Sequence, residues 1–322
     1  MSVWSVPKRR SYRPGSFHKV YAFFALFAVF CVFFSVYSLS PRVLPSVFQK
    51  SFSGAAPVEA SSLLTTVDIL DVGQGSAALI RFPDGKTMIV DSGPPSSRKN
   101  MLSYLKQRNI ETVDCMVITH QHGDHAGNVS AVLSACTVKD IVFPAAPVNL
   151  LIDPERYEGI NKDIDDYGLV IHNPEKGEVL MSGEGYSVTV LSDDSGDYEA
   201  LNDYSIILRV VAGDVSFLMM ADAESFIEQQ LLHSGTNLNS DVLLVGHHGN
   251  RNAVSIPFLQ AVTPSAAVIS VGENKFGQPS NAVISRLTDS NIPFYRTDDE
   301  GTVTFETDGS TYQVFTSELL SK

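Results

Sequence analysis

A chain of 322 residues, 44% hydrophobic and 18% charged, allows one large domain or two small ones and is too apolar for a disordered or collagen-like protein. Its formal charge of −13 is unevenly placed: residues 1–50 hold seven Lys or Arg and no acid, which leaves residues 51–322 at −20. So acidic a region excludes a general DNA-gripping surface, because sequence-independent affinity comes from Lys and Arg neutralising phosphates. With three cysteines, a disulfide scaffold and a Cys-rich zinc cluster are excluded as well. Cys31, Cys115 and Cys136 all sit in apolar contexts and read as buried thiols, with a Cys115–Cys136 bridge as the alternative.

Taken from the N-terminus, residues 1–19 form a basic tail. Val20–Leu39 is then twenty residues without a charge, six of them Phe, flanked by Tyr21 and Tyr37 near its ends. Such a run matches a bilayer core, and the basic residues before it predict a cytoplasmic N-terminus with the remainder outside. A cleaved signal peptide is the competing reading, although its apolar core would be shorter. Residues 40–61, rich in Pro, Ser, Gly and Ala, read as a linker. The expected localisation is therefore a single-pass cell-membrane protein, with one domain over 62–322.

Within that domain, short β-rich runs alternate with helical stretches. Thr66–Val72, Ala77–Phe82 and Thr87–Val90 read as strands, 96–108 as a helix, and Thr112–Thr119 as a strand. A helix over 126–135 and a strand over 140–143 follow, and 144–185 is less regular. Further strands are expected at 186–191, 204–211, 215–220 and 241–245, with a helix at 224–232. The end reads helix, strand, helix, strand over 254–262, 266–271, 281–290 and 292–296, and then a hairpin at 302–306 and 312–315. Several strands are almost continuously apolar, which implies sheets covered on both faces.

Chemistry concentrates in Thr119-His120-Gln121-His122-Gly123-Asp124-His125, at the end of the apolar strand Cys115–Ile118. Three imidazoles and a carboxylate within six residues form a donor set for zinc, iron or manganese. The turn through Gly123 lets His120 and His122 converge on one ion, while Asp124 and His125 open the next helix and face a second. A solvated turn with Asp124 as a helix cap explains one Asp but not three His. Two later strand ends supply partners. Val215–Ala221 delivers Asp222, either an N-cap for the next helix or, beside the first motif, a bridge between two cations. Asp241–Gly246 delivers His247-His248-Gly249; His247 directly ends the strand and is the expected ligand, with His248 as phosphate contact or proton donor. No G-x-S-x-G elbow, P-loop or dinucleotide fingerprint is present. The acidic loop Asp193, Asp194, Asp197, Glu199 lacks EF-hand spacing and reads as solvated.

The pattern His120-x-His122-x-Asp124-His125 with the distant Asp222 and His247 resembles the metallo-β-lactamase family. More narrowly, it resembles the C-terminal domain of ComEC-type DNA-uptake channel proteins. The matching pieces run in order: Asp71-Val72-Gly73-Gln74-Gly75, Ile89-Val90-Asp91-Ser92-Gly93, the His run, Asn202-x-x-Ser205, and Asp241-Val242-Leu243 with His247-His248-Gly249. Ile269-Ser270-Val271-Gly272 and Arg296-Thr297-Asp298 complete the series. The resemblance implies an α/β fold, the αββα sandwich of that family, here preceded by one transmembrane helix. It also implies two divalent ions, zinc or manganese, and hydrolysis of a phosphodiester by a hydroxide between them. His120 and His122 would hold one ion, Asp124, His125 and His247 the other, with Asp222 bridging. Asp124 would also orient the nucleophile.

Three departures stand out: Ser76 where relatives usually carry Asp, Gln278 where they carry His, and Asn202 where many carry a His ligand. With a single expected membrane helix, the chain lacks the multi-span channel of ComEC. The expected partners are a phosphodiester substrate, DNA among the candidates, and the membrane. The alternatives are a phosphorylcholine-esterase-like cell-surface phosphodiesterase and a catalytically impaired binding module.

Overall fold

Thr87-Met88-Ile89-Val90 and Val215-Ser216-Phe217-Leu218-Met219 are buried along their whole length. Strands written this way need cover on both faces, and the architecture supplies it. The computed structural model describes residues 64–192 and 196–317. In chain order these form β1 (Thr65–Ile69), β2 (Ala77–Arg81), β3 (Thr87–Ser92), α1 (Arg98–Gln107), β4 (Thr112–Val113) and β5 (Cys115–Val117). Next come α2 (Gly123–Ala126), α3 (Val129–Ala135), β6 (Thr137–Val138), β7 (Ile141–Val142), α4 (Pro154–Asp166), β8 (Ile171–His172), β9 (Val179–Gly183) and β10 (Tyr186–Val190). The second part holds β11 (Leu208–Ala212), β12 (Val215–Met219), α5 (Ser225–His233), β13 (Val242–Leu244), α6 (Ile256–Val262) and β14 (Ala266–Ile269). It ends with α7 (Asn281–Asp289), β15 (Phe294–Arg296), α8 (Thr297–Glu300), β16 (Val303–Thr307) and β17 (Tyr312–Thr316).

Two large sheets face each other. One has eight strands in the order β17-β16-β1-β2-β3-β5-β7-β8, and the other has seven, β15-β14-β13-β12-β11-β10-β9. Three apolar layers hold them. Val67, Ile80, Met88, Phe217, Val268 and Phe305 fill the space between the sheets. Met101 and Leu105 of α1, Val132 of α3 and Ile160 and Ile164 of α4 cover the outside of the first sheet. Ile227 and Leu231 of α5, Phe258 of α6 and Leu287 of α7 cover the second. This is an αββα sandwich. Cys115 and Cys136 are free and buried, as their contexts predict, and burial pushes the Cys115 thiol up to about 12.

The basic tail, the expected span over residues 20–39 and the linker lie outside the described residues, as do Asp193 and Asp194 of the acidic loop. Among the described residues no helix is long and apolar enough to cross a membrane. The longest, α4, has thirteen residues and reads Pro-Glu-Arg-Tyr-Glu-Gly-Ile-Asn-Lys-Asp-Ile-Asp-Asp, short of the roughly 20 apolar residues a bilayer requires. The described residues therefore show the sandwich without a membrane-spanning helix, and the anchored architecture and membrane localisation expected from residues 20–39 find no support in them.

Local differences from the expected elements have local causes. The strand expected over 112–119 is broken at Asp114, whose carboxylate accepts the Thr87 N–H and pairs with Lys139. Helix α4 falls in the stretch taken as irregular. Its start is written in Asp153-Pro154: Asp153 accepts the Arg156 N–H as N-cap, and Pro154 occupies the first turn.

Candidate metal centre

The site lies at one edge of the sandwich, where strands of both sheets end. After β5 the chain continues through Ile118 and Thr119 to His120, and all three are buried. Asp91, at the end of β3, fixes this segment. Its carboxylate accepts from Thr119 N–H at 2.8 Å, from the Thr119 hydroxyl, and from His125 Nδ1 at 2.7 Å. His122 is extended and precedes α2, whose single turn carries Asp124 and His125. The loop after β1 presses on this turn: Ser76 N–H donates to the Asp124 carbonyl, and a Cβ on Gly75 would collide with that same oxygen. Only glycine permits the approach.

The second sheet contributes from β12 and β13. Ala221 (φ 48°) turns the chain after β12 and aims Asp222 into the site. His247 (φ 46°) and His248 (φ 53°) follow β13, both left-handed, and His247 N–H donates to the Ala221 carbonyl at 2.8 Å. Non-glycine residues in this conformation persist where the surroundings over-determine them, commonly at functional sites. The layers are tied directly by the Ile206 N–H donating to Thr119 carbonyl.

Two groups of donors result: His120, His122 and Asp222, and Asp124, His125 and His248, the ligand atoms of each lying within 4.8 Å of one another. Asp222, 2% exposed, faces both groups. Its Oδ2 is 3.5 Å from His120 Nε2 and its Oδ1 3.1 Å from His125 Nε2. His248 Nε2 is 3.3 Å from Asp124 Oδ2, and its Nδ1 is fixed by the Ser270 carbonyl at 2.8 Å. The order expected for the His pair is thus rearranged. His248 sits with Asp124 and His125, while His247 lies across Asp222 with its Nδ1 2.7 Å from Glu224.

Electrostatics follow from this packing. Burial and the neighbouring His125 hold His120 well below the usual imidazole range. Burial also opposes charge on His125, but the Asp222 and Asp91 carboxylates outweigh it and raise that ring well above the usual value. Burial works against ionising Asp222, yet His125, His248 and His120 overcome it and hold the carboxyl well below its usual range. The residues fit divalent ions. His122 Nε2 is buried without a hydrogen-bond partner, and His125 Nε2, His248 Nε2 and Asp222 Oδ1 meet only one another or Asp124, at 3.1–3.6 Å and without well-aligned hydrogen bonds, an arrangement that would be expensive unless another group uses these lone pairs. Imidazole nitrogen and carboxylate oxygen suit zinc and manganese.

Residues 70–273 match the Metallo-beta-lactamase superfamily. The chain belongs to that superfamily. Among curated proteins it is similar to "ComE operon protein 3" of Bacillus subtilis, 27% identical over 257 residues, covering 74% of this chain and 32% of that protein. "Competence protein ComA" of Neisseria gonorrhoeae is 29% identical over 242 residues, with 74% and 32% coverage. The chain spans about a third of the length of these relatives. The distant relation to competence-associated proteins drawn from the motif series therefore stands. A solved structure, the diiron β-hydroxylase CmlA from Streptomyces venezuelae, has a TM-score of 0.51 at 17% identity, covering 74% of this chain and 53% of that one, and shows the shared fold.

Family and donor groups together make this a metal-dependent hydrolase of the superfamily, with two candidate His/Asp clusters in the arrangement of a dinuclear centre. The DNA partner expected from the resemblance is corrected. The side chains bonded or paired to His247 include Glu224, Asp222 and Asn202, two carboxylates and an amide, and they give no support to the basic groove that DNA requires. For the expected membrane partner, the described residues offer no spanning helix.

Sequence reasoning missed Asp91 and Glu224 as supports of the site, and Ser270 as a backbone acceptor. Asp91 stands in the Ile89–Gly93 run, and Glu224 lies two residues past Asp222. An acid at or just past the end of an apolar strand is the signal that could have found both. Ser76 lines a small cavity of about 30 Å³ beneath His125 and Asp222. Gln278 is occupied: its Oε1 accepts from Gln74 Nε2 at 2.8 Å, and its Nε2 donates to the His247 carbonyl at 3.2 Å.

Proposed function

We propose that the chain is a phosphodiesterase using two divalent ions, zinc or manganese. The observation that carries this is the Asp222 carboxylate, which turns one oxygen to His120 and the other to His125. A carboxylate so placed can bridge two cations. His120 and His122 would hold one ion, and Asp124, His125 and His248 the other. When bound, the two ions supply Lewis acidity and positive charge, lowering the pKa of water and neutralising a phosphate ester.

The chain's own residues do the rest. Asp91 holds His125 and the Ser270 carbonyl holds His248, so that each ring presents Nε2 to the site. Asp124 has a side chain 35% exposed against 3% for Asp222, which puts it at the wet edge. There it accepts a hydrogen bond from the attacking water and orients it. The carboxylates beside His247 oppose a long polyanion there, while the Arg156 guanidinium against Gly123 offers one cation at the turn, a balance that favours a small or compact ester.

The test is metal analysis of the purified chain, coupled to hydrolysis of bis-p-nitrophenyl phosphate and of a chromogenic β-lactam, each with added zinc or manganese. The expected result is two ions per chain and metal-dependent release of nitrophenolate from the phosphodiester. Metal-loaded protein that leaves the diester intact and opens the β-lactam would overturn the reading.

A further inference from the structure

His247 lies outside both donor groups, yet its surroundings are those of a ligand. Asp222 splits four imidazoles into two pairs. Oδ1 faces His125 at 3.1 Å and His248 at 3.6 Å, while Oδ2 faces His120 at 3.5 Å and His247 at 3.7 Å. Side chains of consecutive residues normally diverge. His247 and His248 both turn Nε2 toward one carboxylate, and both have a left-handed backbone.

Three of these four rings are also held from behind through Nδ1 by an oxygen within 2.8 Å. His125 has Asp91 at 2.7 Å, His248 has the Ser270 carbonyl at 2.8 Å, and His247 has Glu224 Oε1 at 2.7 Å. Metal-bound imidazoles are typically supported in this way, because the hydrogen bond fixes the tautomer and leaves the Nε2 lone pair free to coordinate. Glu224 is diverted to this duty. It occupies the N-cap position of α5 but makes no capping hydrogen bond, and its second oxygen accepts from Asn252 Nδ2 at 3.0 Å. Asn202 closes the same side, with its Nδ2 3.4 Å from His247 Nδ1 and its Oδ1 buried without a partner.

From this we infer that His247 completes the shell of the ion held by His120, His122 and Asp222, with Glu224 as its positioning residue. The inference rests on the two-ion reading above. It makes the centre symmetrical about Asp222: each ion draws two side chains from the His120–His125 turn and one imidazole from the His247-His248 pair.

The test is metal stoichiometry rather than turnover. The full-length chain, stripped with chelator, is titrated with Co²⁺ and then with Zn²⁺, and bound metal is read by elemental analysis and by the visible spectrum of the cobalt form. Wild type is expected to hold two ions and His247→Gln one. His122→Ala/His247→Gln should also hold one, because both changes fall on the same ion, whereas His247→Gln/His248→Ala should hold none. Glu224→Gln, a nearly isosteric change, should keep both ions but bind one of them about 10–100-fold more weakly.

Wild type that takes up fewer than two ions would overturn the two-ion reading and this inference with it. A wild type with two ions and a His247→Gln variant that keeps both at unchanged affinity would overturn this inference alone. A His122→Ala/His247→Gln protein without metal would place His247 on the other ion, which also overturns it. Circular dichroism of each variant separates metal loss from loss of fold, and Glu224→Gln carries the test if His247 variants do not fold.

Discussion

The first sheet brings His120, His122, Asp124 and His125 to the site from a single turn, whereas the second brings Asp222, His247 and His248 from the ends of two separate strands. The turn is set by short-range backbone geometry and clamped from below by Asp91 and from the side by the Gly75–Ser76 loop. The second set depends on left-handed residues at strand ends and on partners distant in sequence: Ser205 behind Asp222, Glu224 behind His247, Ser270 behind His248. Damage to the clamps that hold the turn should therefore disturb both ions together, while loss of a single ligand, or damage to the second sheet, should be separable, except at the carboxylate both ions share.

Asp222→Asn removes that exception and should have the largest effect. Loss of one buried charge facing both groups is expected to reduce metal content below two per chain. Turnover of the phosphodiester should fall by about 1,000-fold, on the scale of the several kcal/mol that metal ions contribute to transition-state charge. Elemental analysis and steady-state kinetics check this; a variant that keeps two ions and its turnover would show that the layers are not joined through Asp222.

How much of this was legible in the sequence follows the same division. The His120–His125 turn is contiguous, so its donor density can be read directly. Asp222 and the His pair are legible only as polar residues that abruptly end apolar strands. Which of His247 and His248 faces which group is not, because it depends on two left-handed residues that put both rings on one side of the chain. The sheets were readable from apolar runs such as Val215–Met219, and the strands fall close to where periodicity puts them. Helix α4 was not, since the polar residues of its outer face mask an apolar side reduced to Ile160 and Ile164. Asp91 and Glu224 are legible only as acids at or just past the ends of apolar strands; which imidazole each one holds shows only once strand ends from distant parts of the chain are adjacent.

A middle-sized effect is expected from Asp91→Asn. The amide can still meet Thr119, but it no longer offers His125 Nδ1 a charged acceptor. Metal binding should weaken by about 10–100-fold. Because Asp91 also anchors the Thr119–His120 segment, both ions should weaken in competition titrations against a chromophoric chelator. Selective loss of one ion would show that the turn does not move as a unit.

The smallest effect belongs to Gln278. Its amide joins Gln74 to the His247 carbonyl, and neighbouring loops meet so closely that a Cβ on Gly272 would strike the Gly73 backbone. With both amide atoms engaged in this clasp, Gln278 is a brace between loops rather than a proton source. Gln278→Ala should lower stability by about 1 kcal/mol for each hydrogen bond lost, read from urea unfolding of the metal-free protein. It should also slow esters with good and poor leaving groups by the same factor. A selective penalty on the poor leaving groups would place the side chain in proton transfer instead.

The separation between the two halves of the site also orders events in time. During synthesis, His125 emerges 97 residues before Asp222, an interval of roughly 5–20 s at about 5–20 residues per second. The first sheet is itself unfinished until β16 pairs with β1, near the end of the described chain. A nascent chain thus displays a histidine cluster well before Asp222, His247 and His248 exist to complete the donor set, which is assembled only when strands from both sheets have closed.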